Sequence, residues 1–160
     1  MALAYQQLGT AYTEQGLYPQ AMECYREAIR LNPNYAKAYH NLGVIYGMKG
    51  DDDRAIDCYQ KAIQLRPKDA KTYNNLGVAY GRKNDYHKEM EYCQKAIELD
   101  PHYAGAYNSL GAAYGRRGLH NRAIEYFKKA TQLDPDDTDA YHNLEISRAI
   151  LRAAGRNNEP

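Results

Sequence analysis

The side chains best equipped for chemistry in this sequence are amides. Asn41 and Asn75 stand 34 residues apart; Gln7 lies 34 before them, and Ser109 and Asn143 continue the interval. A second polar set sits one residue earlier: Gln6, His40, Asn74, Asn108 and His142. A carboxamide offers two donors and an acceptor oxygen, so it can pair with a peptide group whatever that peptide's sequence. That chemistry is recognition, not reaction. The same amides could instead bond neighbouring helices or water, and the sequence leaves the two readings open.

Reactive groupings are missing. No Gly-x-Ser-x-Gly, phosphate loop or dinucleotide fingerprint occurs. The His and Cys residues show no zinc spacing. Asp51-Asp52-Asp53 lacks the Gly and distal Glu of a calcium loop and is expected to cap a helix. Cys24 and Cys58 fall at equivalent sites of adjacent units. Packed helices lie ~8–10 Å apart, beyond disulfide reach, so the thiols are expected to be reduced, as in the cytoplasm. We therefore expect no enzyme activity, no cofactor and no metal.

Composition narrows the classes further. Lys+Arg is 21 and Asp+Glu is 20 in 160 residues, a net charge of +1. A dedicated nucleic-acid binder usually carries a concentrated basic surface, so none is expected. No apolar run is long enough to span a membrane, and no basic-then-apolar leader opens the chain. Trp is 0, Phe 1 and Tyr 17, a bias that asks for an explanation.

The explanation is an internal repeat. Leu8-Gly9, Leu42-Gly43, Leu76-Gly77 and Leu110-Gly111 recur every 34 residues, each with a Tyr three before and four after the Leu. Ala28, Ala62, Ala96 and Ala130, then Pro33, Pro67, Pro101 and Pro135, follow in step. The units are 2–35, 36–69, 70–103 and 104–137, followed by a capping helix at 138–153 and a polar tail at 154–160. Within a unit, Tyr39, Leu42, Gly43 and Tyr46 make one helical face, and Ala55, Ile56, Tyr59, Ala62 and Ile63 a second. Gly50 and the Asp run predict the turn between them, and Pro67 the end of the second helix. One such pair cannot bury its apolar face alone, so stacking must supply the core. The tyrosines flanking each Leu-Gly are expected in that core. Tyr35 and Tyr103, after the prolines, are expected to cover the next helix or to reach a ligand.

The pattern Tyr-x-x-Leu-Gly-x-x-Tyr…Ala-x-x-x-Tyr-x-x-Ala…Pro resembles the tetratricopeptide repeat (TPR), with Tyr in place of its usual first Trp. The resemblance implies an all-α fold, a right-handed superhelical solenoid of antiparallel helix pairs. Its first helices would line a concave groove that typically holds a peptide or protein segment, and the family has no intrinsic catalytic activity. It also implies which positions face that groove, in agreement with one helical stripe. Here they give a candidate peptide-binding set of Lys37, His40, Asn41, Val44, Lys71, Asn74, Asn75, Val78, Arg82, Asn108, Ser109, Arg116 and Asn143. The amides are similar to the asparagine ladder with which the TPR part of O-linked N-acetylglucosamine transferase holds extended backbone. Lys37, Lys71, Arg82 and Arg116 exceed Glu14 and Asp139 by two, but Asp69 and Asp137 in the loops cancel that bias. The arginines could equally serve helix C-termini.

The family's carboxylate clamp does not fit. In register with the first unit it would fall on Gln6, Thr10, Asn41, Lys71 and Asn75, where only Asn41 and Lys71 match. One unit on, His40, Val44, Asn75, Gly105 and Ser109 match only at Asn75. A chaperone C-terminus is therefore not the expected ligand. Gly47, Gly81 and Gly115 recur inside helices, where Gly costs about 0.5–1 kcal/mol relative to Ala. They would form a shallow groove floor or make room for a neighbouring helix.

Unit three departs from the pattern. Glu89 replaces Ala21, Ala55 and Ala123, and Cys93 replaces an aromatic ring one turn on. The smaller Cys93 is expected to make room for the stem of Glu89, with its carboxylate tilting out to water. The functional expectation is a protein-interaction scaffold binding a peptide or protein segment. The rivals are self-association through the apolar Ala149, Ile150, Leu151 and Ala153, or a substrate-reading fragment of a larger enzyme. Met1 directly before the first unit fits such a cut-out.

Overall fold

The structure, a computed structural model, describes residues 1–156. Among them are nine helices and no strand: α1 (Ala2–Glu14), α2 (Tyr18–Leu31), α3 (Ala36–Met48), α4 (Asp52–Leu65), α5 (Ala70–Arg82), α6 (Tyr86–Leu99), α7 (Ala104–Arg116), α8 (His120–Leu133) and α9 (Thr138–Arg156). They stack as an all-α helical-repeat solenoid. The last helix runs past 153 into the expected polar tail, whose residues 157–160 lie outside the described residues.

Each first helix is stopped the same way. Gly16, Gly50 and Gly118 take φ of 72°, 76° and 74°, and Asn84 takes 63° at the equivalent site. This left-handed residue lets the next N–H turn back to the helix, as in Asp51 N–H to the Tyr46 carbonyl at 2.9 Å. Asp51 then caps α4 by accepting the Arg54 N–H at 3.2 Å. Between units, the residue before the proline folds over it. Asn32, Asp100 and Asp134 accept the N–H two residues on at 3.0–3.1 Å. Arg66, at the same site of unit two, has no oxygen with which to do so.

The backbones of consecutive first helices come close to one another (α1 with α3, α3 with α5, α5 with α7, α7 with α9), while among the described residues no two second helices approach as closely. The stack therefore curves with its first helices on the inner side. Within each pair, glycine seats a ring. A methyl on Gly9, Gly43 or Gly111 would lie 2.7 Å from the ring of Tyr25, Tyr59 or Phe127. Those rings are almost fully buried. The tyrosines flanking Leu-Gly are less buried than expected: Tyr46 is buried, Tyr5 is exposed, and the others are half-covered. They make a rim of stacked rings instead, with Tyr80 on Tyr92 and Tyr114 on Tyr126 at centroid distances of 5.5 and 5.2 Å. Arg54, Lys88 and Arg122 lie over Tyr46, Tyr80 and Tyr114.

Candidate binding trough

Three recesses on the inner side share walls. The first, of 680 Å³, is lined by Gln6, Thr10, Lys37, His40, Asn41 and Lys71 with the loop residues Arg66, Lys68, Asp69 and Asp100. Asn41 and Thr10 also line a second recess, with Thr13, Glu14, Tyr25 and Val44. Val44 passes on to a third, of 200 Å³, with Gly47, Met48, Tyr59, Asn75, Val78 and Arg82. Shared walls make these one trough across units one to three.

Two adjacent polar positions behave differently on these helices. The earlier set is tied to other elements, within its own unit or in the following one. Gln6 Oε1 accepts the Tyr35 hydroxyl at 3.2 Å. His40 Nδ1 meets Thr72 Oγ1 at 2.7 Å, and burial pushes its pKa down against the pull of Asp69. Asn74 is buried and accepts from the Cys93 thiol at 3.8 Å. Asn108 Oδ1 accepts from Asn143 Nδ2 at 3.0 Å. Tyr35, which stands directly before α3, thus reaches back to α1. By contrast, Asn41 and Asn75 are half-buried in the trough, and among the described residues their amides bond no other side chain.

The arginines expected to supply charge are engaged. Arg82 Nε donates to Asp52 Oδ1 at 2.6 Å, and its guanidinium lies 2.8 Å from where a methyl on Gly47 would sit. Arg116 pairs with Glu89. Glu89 does not tilt out to water: it is 0% exposed, with Oε2 lacking a partner. Its carboxylate occupies the space a side chain at Gly81 would need. Burial pushes its pKa up, while Arg116 pulls it down. The expected outward tilt is corrected: Gly81 opens a slot inward and Arg116 closes it. Charged side chains, not a ligand or a helix, fill the space at Gly47 and Gly81.

The TPR repeat family matches residues 9–50 and 48–84, and the tetratricopeptide repeat matches 70–103 and 104–137. The chain belongs to the TPR family. No curated protein sequence matches it. The crystal structure of MamA is similar, with 34% identity over 84% of this chain and 78% of that one, and a TM-score of 0.76. The first TPR of Spaghetti (RPAP3) bound to the HSP90 peptide SRMEEVD is 26% identical over 73% and 93%, at 0.69. YrrB, a TPR protein with an unusual peptide-binding site, shares the fold at 23% identity over 95% and 78%, with a TM-score of 0.75.

In this TPR chain the trough brings together Lys37, His40, Asn41, Val44, Lys71, Asn75, Val78 and Arg82. Asn108, Ser109, Arg116 and Asn143 lie further along, outside these recesses, and Asn74 is beneath the surface. Sequence reasoning missed Arg66 and Lys68. The signal was available: the residues flanking each proline read Asn32/Asn34, Arg66/Lys68, Asp100/His102 and Asp134/Asp136, so one loop alone carries two cations. Among the described residues no helix is long and apolar enough to cross a membrane. The three thiols are free, and burial pushes Cys58 up to about 11 and Cys93 up to about 12, which makes them poor nucleophiles.

Proposed function

We propose that this chain is a non-catalytic protein-interaction scaffold that holds an extended peptide or protein segment along the concave trough of units one to three. The observation that carries this reading is the pair Asn41 and Asn75. Each lies one residue from a polar side chain bonded to another helix, His40 to Thr72 on α5 and Asn74 to Cys93 on α6, yet among the described residues neither amide bonds a side chain. Amides left open over Val44 and Val78 suit a ligand that offers backbone groups and small apolar side chains. The peptide-bound Spaghetti structure supports the same class of partner. Nucleic acid and membrane are not expected partners, and the free thiols fit a cytoplasmic setting.

The test is titration calorimetry with a selected peptide on wild type and on N41A/N75A. The variant should fold normally and lose affinity from a wild-type value of about micromolar, near −8 kcal/mol. Equal affinity in the two proteins would refute the reading.

Self-association is a second reading with its own observation. Leu8 is 44% exposed, whereas Leu42, Leu76 and Leu110 at the same repeat position are 6%, 1% and 1% exposed. Ile146 and Ile150 on α9 are 45% and 42% exposed. Sedimentation across a concentration range separates the two readings, since a scaffold of the first kind stays monomeric without its client.

A further inference from the structure

The first recess has an uneven charge economy. Lys37, Arg66, Lys68 and Lys71 line it, against Asp69 and Asp100. Both acids are occupied with backbone: Asp69 accepts the Thr72 N–H and caps α5, and Asp100 accepts the His102 N–H. Among the described residues none of the four cations makes an ion pair. Arg26, Arg30, Arg54, Arg82, Lys83, Lys88, Lys95, Arg116 and Arg148 all do. Other cations of the described residues, Lys49 and Lys61 among them, are also unpaired, but here four of them line one recess against two carboxylates.

The loop itself is the second observation. At the site of Arg66 the other three units place Asn or Asp, and in each the side chain closes the turn over proline with a hydrogen bond. Arg66 forgoes that bond. A turn-forming residue has been exchanged for an exposed guanidinium on the lip of the trough, with Lys68 two residues on. The fold gains nothing visible from the exchange, so a ligand is the natural beneficiary.

Resting on the peptide-trough reading above, we propose that the partner segment is acidic. At least two of its carboxylate side chains would sit in the recess framed by Arg66, Lys68, Lys37 and Lys71, with an apolar side chain about three residues away seated between Val44 and Val78. The spacing follows from helix geometry. Lys37 and Val44 are seven residues apart on α3, about 10 Å of helix at ~1.5 Å per residue. An extended peptide covers that in about three residues. Asn41 lies between the two ends and grips the intervening backbone. The arrangement differs from a clamp for a chain terminus, because Arg66 and Lys68 come from the loop and the acids can be internal to the segment.

An array of peptides about nine residues long tests this. Each carries one Glu pair and one Leu at varied separation, or the same with a Gln pair, and all are amidated at the C-terminus. The full chain should bind the Glu–Leu peptides at a separation of three about ten-fold or more tighter than their Gln counterparts. That preference should shrink when salt is raised to about 0.3 M. It should disappear in R66E/K68E, whose exposed positions leave folding intact, as circular dichroism would check. Equal binding of Glu and Gln peptides, a Glu preference that survives in R66E/K68E, or no binding to the array overturns the proposal. So does a single-stranded RNA oligonucleotide bound as tightly as the Glu peptides. Failure of the underlying reading looks different: peptides bind, with or without acid preference, and N41A/N75A leaves every affinity unchanged.

Discussion

Units two and three begin with nearly the same helix, AKAYHNLGVIYGM in one and AKTYNNLGVAYGR in the other, yet they meet the following unit by different means. In unit two, Tyr59 packs its ring on Gly43, and Arg82 of the next helix pairs with Asp52 at the rim. In unit three the ring and thiol exchange places, Cys58-Tyr59 becoming Tyr92-Cys93, so the core receives sulfur where it held a ring. Tyr86 stands where Asp52 did, and Arg116, equivalent to Arg82, finds its acid one turn deeper, at Glu89. Both joints therefore join an arginine to an acid of the preceding second helix, but one pair is at the rim and the other is half sunk in the core. The rim pair is of the kind that adds little to stability. The sunken one carries a desolvation cost that Arg116 only partly offsets. The main apolar cluster accordingly runs from unit one to unit three, and a smaller one begins around Ala123, Phe127 and Leu144.

Three glycines at one repeat position give the largest expected contrast. A methyl at Gly81 would lie 2.4 Å from the Glu89 carboxyl, at Gly47 2.8 Å from the mobile end of Arg82, and at Gly115 no closer than 3.9 Å to anything. G81A should lose about 1–3 kcal/mol through overpacking. G47A should be close to neutral as Arg82 swings aside, and G115A should gain about 0.5–1 kcal/mol from helix propensity. Urea denaturation of the three variants reads this order. If G81A behaves like G115A, Glu89 is not in the slot.

Restoring unit three to the unit-four pattern is the next test. C93F alone places a ring where the Glu89 stem runs and should cost about 1–3 kcal/mol. Adding E89A recreates the Ala123–Phe127 arrangement. It should recover the loss, with a coupling energy of about 1–2 kcal/mol in the double-mutant cycle. Additive effects would mean that the two positions do not share space.

Acidity probes the same pair more gently. Burial raises the Glu89 pKa in the folded chain, so the folded state holds the proton more tightly than the unfolded one. Stability contributed by this group then falls as pH rises from the ordinary carboxylate range through the raised value. Gln at this position cannot titrate. The urea midpoint of E89Q should therefore climb relative to wild type as pH goes from about 4 to about 7. The opposite trend would show that attraction to Arg116 outweighs burial.

The repeat was fully legible because it is written four times: Leu-Gly, the flanking tyrosines and the prolines can be aligned on themselves without a second sequence. Periodicity gave the faces of the helices, since Ala55, Ile56 and Tyr59 can share only one side of α4. What it could not give is the direction of a single long side chain. Glu89 follows from no pattern, since its inward path depends on Gly81 and Cys93 being small together and on Arg116 arriving from another helix. The trough was half legible for a related reason. The TPR resemblance placed Asn41, Asn75, Val44 and Val78 toward the groove, but Arg66 and Lys68 reach it from a loop, where no helical period applies. Asn74 fell into the candidate set because its repeat position lies on the groove-facing stripe, and only its burial beside Cys93 shows that this copy turns into the core.

Asn74 and Asn75 sharpen the contrast between joint and trough to two adjacent residues of identical chemistry. Asn74 is 6% exposed and its amide accepts from the buried Cys93 thiol, so Asn74→Ala would strip that thiol of its partner. The expected loss is about 1 kcal/mol, with no direct effect on a ligand beyond loosening of the joint. Asn75 lines the trough and bonds no other side chain among the described residues, so Asn75→Ala should leave stability within about 0.5 kcal/mol. What it should change is affinity, because a ligand's peptide group would lose its partner. Measured together, urea midpoints and peptide titration should move in opposite columns for the two variants. A stability loss at Asn75 would place that amide in the fold after all, and the trough would then lose one of the two open amides on which its function is argued.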